Sequence, residues 1–163
     1  MTKVFELPVW AVLTATAVLC TGVVALAAGV APVPEHLHAH LTISINGAEQ
    51  TVPANTGIDA VTGVTQPLHT HDTTGILHVE SAVTRDFELG QFFDEWGLPL
   101  TLTGVGGVTS SPTETFTVFV DQKPYTGDPA DIVLTNKMDI DLVFTPAGTP
   151  ASPPAPFVWP AQY

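Results

Sequence analysis

A long uncharged apolar run near the N-terminus is the feature that most constrains this chain. No residue between Leu7 and Ala31 carries a charge. At about 1.5 Å per helical residue, a run of this length spans a hydrocarbon core of ~30 Å. Lys3 precedes the run and favours a cytoplasmic N-terminus. The sequence therefore predicts that residues 1–33 form a transmembrane anchor and that the rest of the chain lies on the extracytoplasmic side.

A cleaved secretory signal is the alternative interpretation of the same residues. Ala25-Leu26-Ala27 has the small-residue pattern of a cleavage site, although the apolar run is longer than a signal core of ~7–15 residues. Both interpretations place residues 34–163 outside the cytoplasm. The predicted location is the cell membrane, with a single pass, or the exterior if the segment is cleaved.

Charge and cysteine content exclude several classes of function. The chain has 16 Asp and Glu residues against 4 Lys and Arg, which gives a net charge of −12. This balance argues against nucleic acid or anionic lipid as a partner, because both require basic side chains. The single cysteine, Cys20, lies inside the apolar run. Any metal ion bound by the exported part must therefore be held by imidazole and carboxylate groups.

Strand periodicity predicts a β-rich domain over residues 34–145. The segment HLTISING at 40–47 alternates polar and apolar residues and ends in Asn-Gly, a strong hairpin signal. ILHVESA at 76–82 alternates in the same way. Two late strands follow within 115–125 and 131–144, and in the last of them Asp139 and Asp141 are predicted to point outward. The stretch 98–114 is predicted as loop.

A single amphipathic helix is predicted between the early and late strands. Its apolar stripe consists of Leu89, Phe92, Phe93 and Trp96. This i, i+3, i+4, i+7 spacing is typical of a helix docked on a sheet. Asp86 is a candidate N-cap and Gly97 a candidate C-terminal stop. A helix packed on a mixed sheet predicts an α+β fold of β-grasp-like arrangement.

The segment 146–163 is predicted to be an extended tail. It contains six prolines and no charged residue, a composition that disfavours regular structure. It ends in Phe157, Trp159 and Tyr163. Aromatic side chains on such a tail indicate docking, either on the same domain, on a partner protein or at the membrane interface.

The histidines are clustered. All six lie between residues 36 and 78, in sets spaced i, i+2. In an extended chain this spacing places two imidazoles on one face, ~6.5–7 Å apart at Cα. If the strands carrying His40 and His78 pair, their histidine faces align and the 69–71 segment folds over them.

This clustering predicts a transition-metal site. Imidazole with one carboxylate suits zinc or copper, and the absence of competing thiolate outside the cytoplasm favours copper. The candidate ligands are His38, His40, His69, His71, His78, Asp72 and Glu80, with the two carboxylates acting as ligands or as acceptors that orient the imidazoles.

A structural network is the alternative interpretation of the same motif. In HTHDTTG, Asp72 would cap backbone amides and Gly75 would supply a positive φ, with the histidines tying a long loop to the sheet. Catalysis is not predicted, because the sequence has no G-x-S-x-G, no H-E-x-x-H and no phosphate-binding glycine loop.

Three segments carry a resemblance to a family. HLHAHLTISINGAEQTVPANTGI, PLHTHDTTGILHVES and FELGQFFDEWGLPL resemble a small extracytoplasmic module of membrane-anchored or secreted bacterial and archaeal proteins. The resemblance covers roughly residues 36–145. It implies export and one compact domain, and it implies no catalytic residue.

Two functions are therefore predicted. The first is a membrane-anchored domain that binds copper or zinc through its histidines, in metal handling or as an accessory factor. The second is a metal-free accessory subunit of a membrane complex, for example a respiratory one, held by the anchor and the C-terminal tail.

Overall fold

Two long strands near the opposite ends of the described residues organise the fold. The computed structural model describes residues 34–163, so the predicted anchor or signal at 1–33 lies outside the described residues. The strands are β1 (Glu35–Ile45), β2 (Ala48–Gln50), β3 (Leu68–His69), β4 (Ile76–Ser81), β5 (Leu100–Thr101), β6 (Gly104–Val105), β7 (Val108–Thr109), β8 (Glu114–Val120), β9 (Lys123–Tyr125) and β10 (Met138–Pro146). The helices are α1 (Leu89–Trp96) and a 3₁₀ turn (Pro129–Asp131). Among residues 34–163, no helix is long and apolar enough to cross a membrane.

The main sheet is mixed and has β1 near its centre. Its order is β3-β4-β1-β10-β8-β9. β1 runs parallel to β10 and antiparallel to β4, and β2 pairs with the last residues of β1. The α+β class predicted from the sequence is confirmed, with strand as the main component. β1 begins earlier than the predicted strand, at Glu35, and so includes His36 and His38.

One face of the sheet buries the apolar core under α1. Leu89, Phe92 and Phe93 are buried against the inward residues of the central strands, as the predicted stripe requires. Burial of each such side chain stabilises the fold by roughly 1.5–3 kcal/mol. Gly97 ends the helix in the left-handed region, as predicted.

The helix N-terminus and the 98–114 segment differ from prediction. The N-cap is Glu88, whose side chain forms a capping box with Gln91, so the expectation for Asp86 is wrong. The segment predicted as loop contains β5, β6 and β7, which form a small three-stranded sheet. Strands of two residues are too short to produce a visible alternation in sequence.

The opposite face of the sheet is also covered, which the sequence did not predict. Asp139 and Asp141 were expected to point to solvent, but they are 7% and 1% exposed. The C-terminal tail packs on this face. The Phe157 N–H donates to Asp139 Oδ2 at 3.0 Å, and the Phe157 ring stacks on His40 at 3.7 Å. The predicted docking surfaces for the tail aromatics were the same domain, a partner protein and the membrane interface. In the structure, Phe157 docks on the same domain.

Asp141 is a buried carboxyl whose ionisation opposes folding. Its Oδ2 has no hydrogen-bond partner, and burial, together with the charge of Asp139, raises the pKa of Asp141 to about 6 from an ordinary 3.8. The folded state therefore binds more protons than the unfolded state between these values. The stability that the neutral Asp141 carboxyl contributes is complete at low pH and is lost as the pH rises through 6.

The variant Asp141→Asn should therefore be more stable than the wild type at pH 8, by on the order of 2 kcal/mol, and nearly equal to it at pH 4. Denaturant unfolding of both proteins at the two pH values measures the difference. Asp94→Asn, at an exposed position on α1, is the matched control and should show no such difference. If the variant gained the same free energy of unfolding at both pH values, the raised pKa of Asp141 would be contradicted.

Candidate metal centre

Three adjacent strands bring the histidines to one place. β4 lies between β3 and β1. In the antiparallel register, His78 faces His69 on one side and His38 on the other. Because directly opposed residues of neighbouring strands point to the same face, the three side chains converge above β4. The strands that carry His40 and His78 do pair, and His38 rather than His40 lies opposite His78.

His78 is at the centre of the cluster. Its ring centroid lies 4.5 Å from that of His71, 4.6 Å from His38 and 5.3 Å from His69. His36 extends the cluster outward, with its ring 4.9 Å from that of His38. His78 is buried, whereas His36 and His71 are exposed. The cluster thus runs from solvent to a buried imidazole.

The donor atoms fall into two sets that share His78. The inner set is His69, His71, His78 and Glu80. The outer set is His36, His38 and His78. In each set, one donor atom from every residue lies within 4.8 Å of all the others. Tetrahedral zinc coordination places donors ~3.3 Å apart, so small side-chain rotations bring either set onto an ion.

The histidines at the centre of the cluster have lowered pKa values. Burial, followed by the charges of His38 and His71, lowers the pKa of His78 to about 4. Burial also lowers the pKa of His38 and of His69. A metal ion binds only the deprotonated nitrogen of an imidazole. The lowered pKa values of His38, His69 and His78 therefore favour the neutral form that an ion requires.

Hydrogen bonding leaves free nitrogens in the inner set. The Nδ1 of His69 lies 3.0 Å from the carbonyl oxygen of Gln66 and donates to it, which leaves a lone pair on Nε2. The Nδ1 of His78 is buried and has no hydrogen-bond partner. Glu80 Oε1 is 4.0 Å away, beyond hydrogen-bond reach. A buried polar atom without a partner is costly, and an ion bound at this nitrogen would remove that cost.

His40 is not part of either set, although the sequence predicted it as a ligand. Its Nδ1 lies 2.8 Å from Asp139 Oδ1 and its Nε2 lies 3.1 Å from the carbonyl oxygen of Thr74. Both ring nitrogens of His40 therefore lie beside acceptor oxygens. Although burial acts in the opposite direction, hydrogen bonds from His40 and Phe157 lower the pKa of Asp139. His40 therefore connects β1, the 70–75 loop and the tail.

Asp72 also lies outside both sets. Its Oδ1 accepts from the N–H of Thr74 at 2.9 Å and from the hydroxyl of the same residue. These bonds, the hydroxyl bond first, lower the pKa of Asp72. Gly75 follows with φ of +81°, where an added Cβ would lie 2.5 Å from the carbonyl oxygen of Leu41. Asp72 and Gly75 thus have the turn-forming roles that the structural interpretation of HTHDTTG gave them. The donor set consists of His69, His71, His78 and Glu80.

Two members of the site were missing from the predicted ligands. His36 belongs to the outer set, and its i, i+2 spacing to His38 was the available signal. The Tyr163 ring packs edge-on against His38 at 4.6 Å and lies 5.7 Å from His78. No signal in the sequence links residues so far apart. Most residues of the cluster could be identified from their position on a strand face. Tyr163 joins the cluster only through tertiary contacts.

The donors of the inner set could hold a metal ion. Three imidazoles and one carboxylate match the number and the types of ligand found at four-coordinate sites. Comparison of the chain with protein-family models, curated proteins and solved structures finds no match. Function is therefore inferred from the cluster and from the sequence features described above.

Proposed function

We propose that this protein is a membrane-anchored extracytoplasmic domain that binds one copper or zinc ion, in metal handling or as an accessory factor. The observation that carries the proposal is the inner set, in which four donors lie within 4.8 Å around a buried histidine. The lone Nδ1 of His78 supports it, because this nitrogen has no other partner. The extracytoplasmic location rests on the uncharged run at 7–31.

The donor set favours these two metals over others. Neutral imidazole nitrogen suits zinc and copper, whereas magnesium and calcium prefer oxygen ligands. Residues 34–163 contain no cysteine, so no thiolate contributes to the site. The net charge of −12 raises the concentration of cations near the surface without specifying which ion binds.

The topology supports a finer description of the fold. We infer a β-grasp-like arrangement from the path β2-β1-β10-β8-β9, in which the central strands β1 and β10 run parallel and α1 lies between the early and late strands in the chain. In this description β3, β4 and the 51–75 segment are additions at the β1 edge. The histidine cluster is built mostly from these additions.

Titration of the full-length protein in mild detergent with Zn²⁺ and with Cu²⁺ tests the proposal. We expect one equivalent of at least one ion to bind at neutral pH, measured by calorimetry and by metal analysis after desalting. Asp72→Asn is the matched control, since this carboxylate lies outside both donor sets, and it should bind as the wild type does. Failure to retain either ion would contradict the proposed function.

A further inference from the structure

The cluster contains more donors than one ion uses. Zinc and copper sites in proteins take about four ligands. The two sets together offer His36, His38, His69, His71, His78 and Glu80. The inner set alone satisfies one ion, which leaves His36 and His38 without a role in a single fixed site. Their placement against the same His78 therefore needs its own explanation.

Both sets contain exposed residues, but the sets differ at their far ends. His69 is 1% exposed and lies under the 53–67 segment, which reaches it through the Gln66 carbonyl. The side chain of His36 is 61% exposed. His36 and the exposed inner residue His71 are therefore both open to an arriving ion, whereas His69 is reached last. His78, with 7% side-chain exposure, belongs to both sets.

Glu80 lies between the two sets. Its Oε1 is 3.5 Å from His36 Nε2 and 4.0 Å from His78 Nδ1. Its side chain is 46% exposed and so has room to rotate. A carboxylate in this position can remain bound to an ion while one imidazole replaces another. The donors thus form a continuous path from His36 through Glu80 and His78 to His69.

We propose that the outer set is a transfer position, through which an ion delivered as a labile complex passes to the inner set and leaves again. This inference rests on the proposed function and describes how the same site is loaded. Each step exchanges one ligand for another, the ion keeps its charge, and the protein neither gains nor loses electrons. Glu80 stays near the ion throughout, and His78 is available in both positions.

One ion moving between two positions fits the charges better than two ions bound together. Glu80 is the only carboxylate in either donor set among the described residues. Two divalent ions sharing His78 would repel each other strongly at this separation, with one negative charge to offset four positive ones. The outer set therefore serves as a route to the inner set.

Rates of loading and release test the proposal. Zn²⁺ is transferred to the full-length protein from a chromophoric chelator in a stopped-flow instrument and later removed with excess EDTA; Cu²⁺ is tested in the same way. The double variant His36→Ala/His38→Ala should slow both steps, each by about tenfold or more, while Kd changes less than about threefold, because a lost route alters both directions equally. His71→Ala, at an exposed inner position, should instead raise Kd by about 10–100-fold or more.

Each other outcome has a definite meaning. Wild-type rates in the double variant would overturn the transfer role, as would a rise in Kd equal to that of His71→Ala, which would make His36 and His38 ligands of the resident ion. If the wild type bound two equivalents of the ion and the double variant bound one, the transfer role would be overturned in favour of a two-ion site. No binding by the wild type would overturn the proposed function itself. If the double variant does not fold, the same rates are measured on the single variant His36→Ala, which changes the exposed residue of the outer set.

Discussion

Replacing His78 by phenylalanine is expected to abolish retention of both Zn²⁺ and Cu²⁺. His78 is the one residue common to the inner and outer sets, so the change removes a ligand from both. Structural zinc sites are worth about 10–16 kcal/mol over four ligands. Loss of one ligand should therefore raise Kd by on the order of 100-fold or more. Calorimetric titration with each ion measures the change.

The phenylalanine variant separates ligation from packing. Its ring fills the space of the imidazole between His38 and His71, but it has no lone pair. Because Nδ1 of His78 has no hydrogen-bond partner, its removal should leave the ion-free stability within about 1 kcal/mol of the wild type. Tyr163→Phe is the control for altered packing beside the cluster and should keep wild-type binding. A His78→Phe protein with wild-type Kd would eliminate the proposed centre.

The second large effect is expected at the pair His40 and Asp139. Their side chains are 10% and 11% exposed, and His40 Nδ1 lies 2.8 Å from Asp139 Oδ1. Removing His40 from this buried pair leaves Oδ1 of the Asp139 carboxylate without its partner, which costs about 3–5 kcal/mol. His40→Ala should lower the free energy of unfolding by this amount, and it should also release Phe157, which stacks on the ring. Denaturant unfolding and the tryptophan fluorescence of Trp159 report the two changes.

A double-mutant cycle provides the control for this pair. Replacing both residues with apolar ones, as in His40→Phe/Asp139→Leu, should be less destabilising than the sum of the single changes, because no buried charge is left alone. Metal affinity should change much less than stability in His40→Ala, since this residue lies outside both donor sets. If each single change costs less than about 1 kcal/mol, the pair does not hold the fold together as described.

Much of the fold was accessible from sequence because period and spacing are local properties. Leu41 and Ile43 on β1 and the stripe on α1 follow directly from periods of 2 and 3.6. The Asn46-Gly47 turn needs positive φ, and both residues have it, at 52° and 81°. The i, i+2 spacing of the histidines gave the shared face of β1, and the i, i+2 spacing of His78 and Glu80 gave the shared face of β4. Register was not predictable, and it decides that His38, two residues before His40, faces His78.

The incorrect expectations for Asp139, Asp141 and His40 share one cause. Asp139 and Asp141 alternate with inward apolar residues, so a pattern argument places them in solvent. The residues that cover this face come from the proline-rich tail, which has no periodicity to reveal where it lies. His40 was assigned as a ligand for the same reason, since its partner Asp139 is 99 positions away. Local patterns show which side of a strand is polar, but they do not show whether that side is exposed to solvent.

The donors of both sets end at Glu80, about half-way along the chain, whereas β10 and the tail come last. In the proposed topology the residues that follow the anchor would cross first, so every donor would emerge before the strand that completes the sheet. An ion captured at that stage would clamp β1, β3 and β4 together ahead of the late strands. Metal supply in the receiving compartment would then set the order of assembly as well as the loaded state.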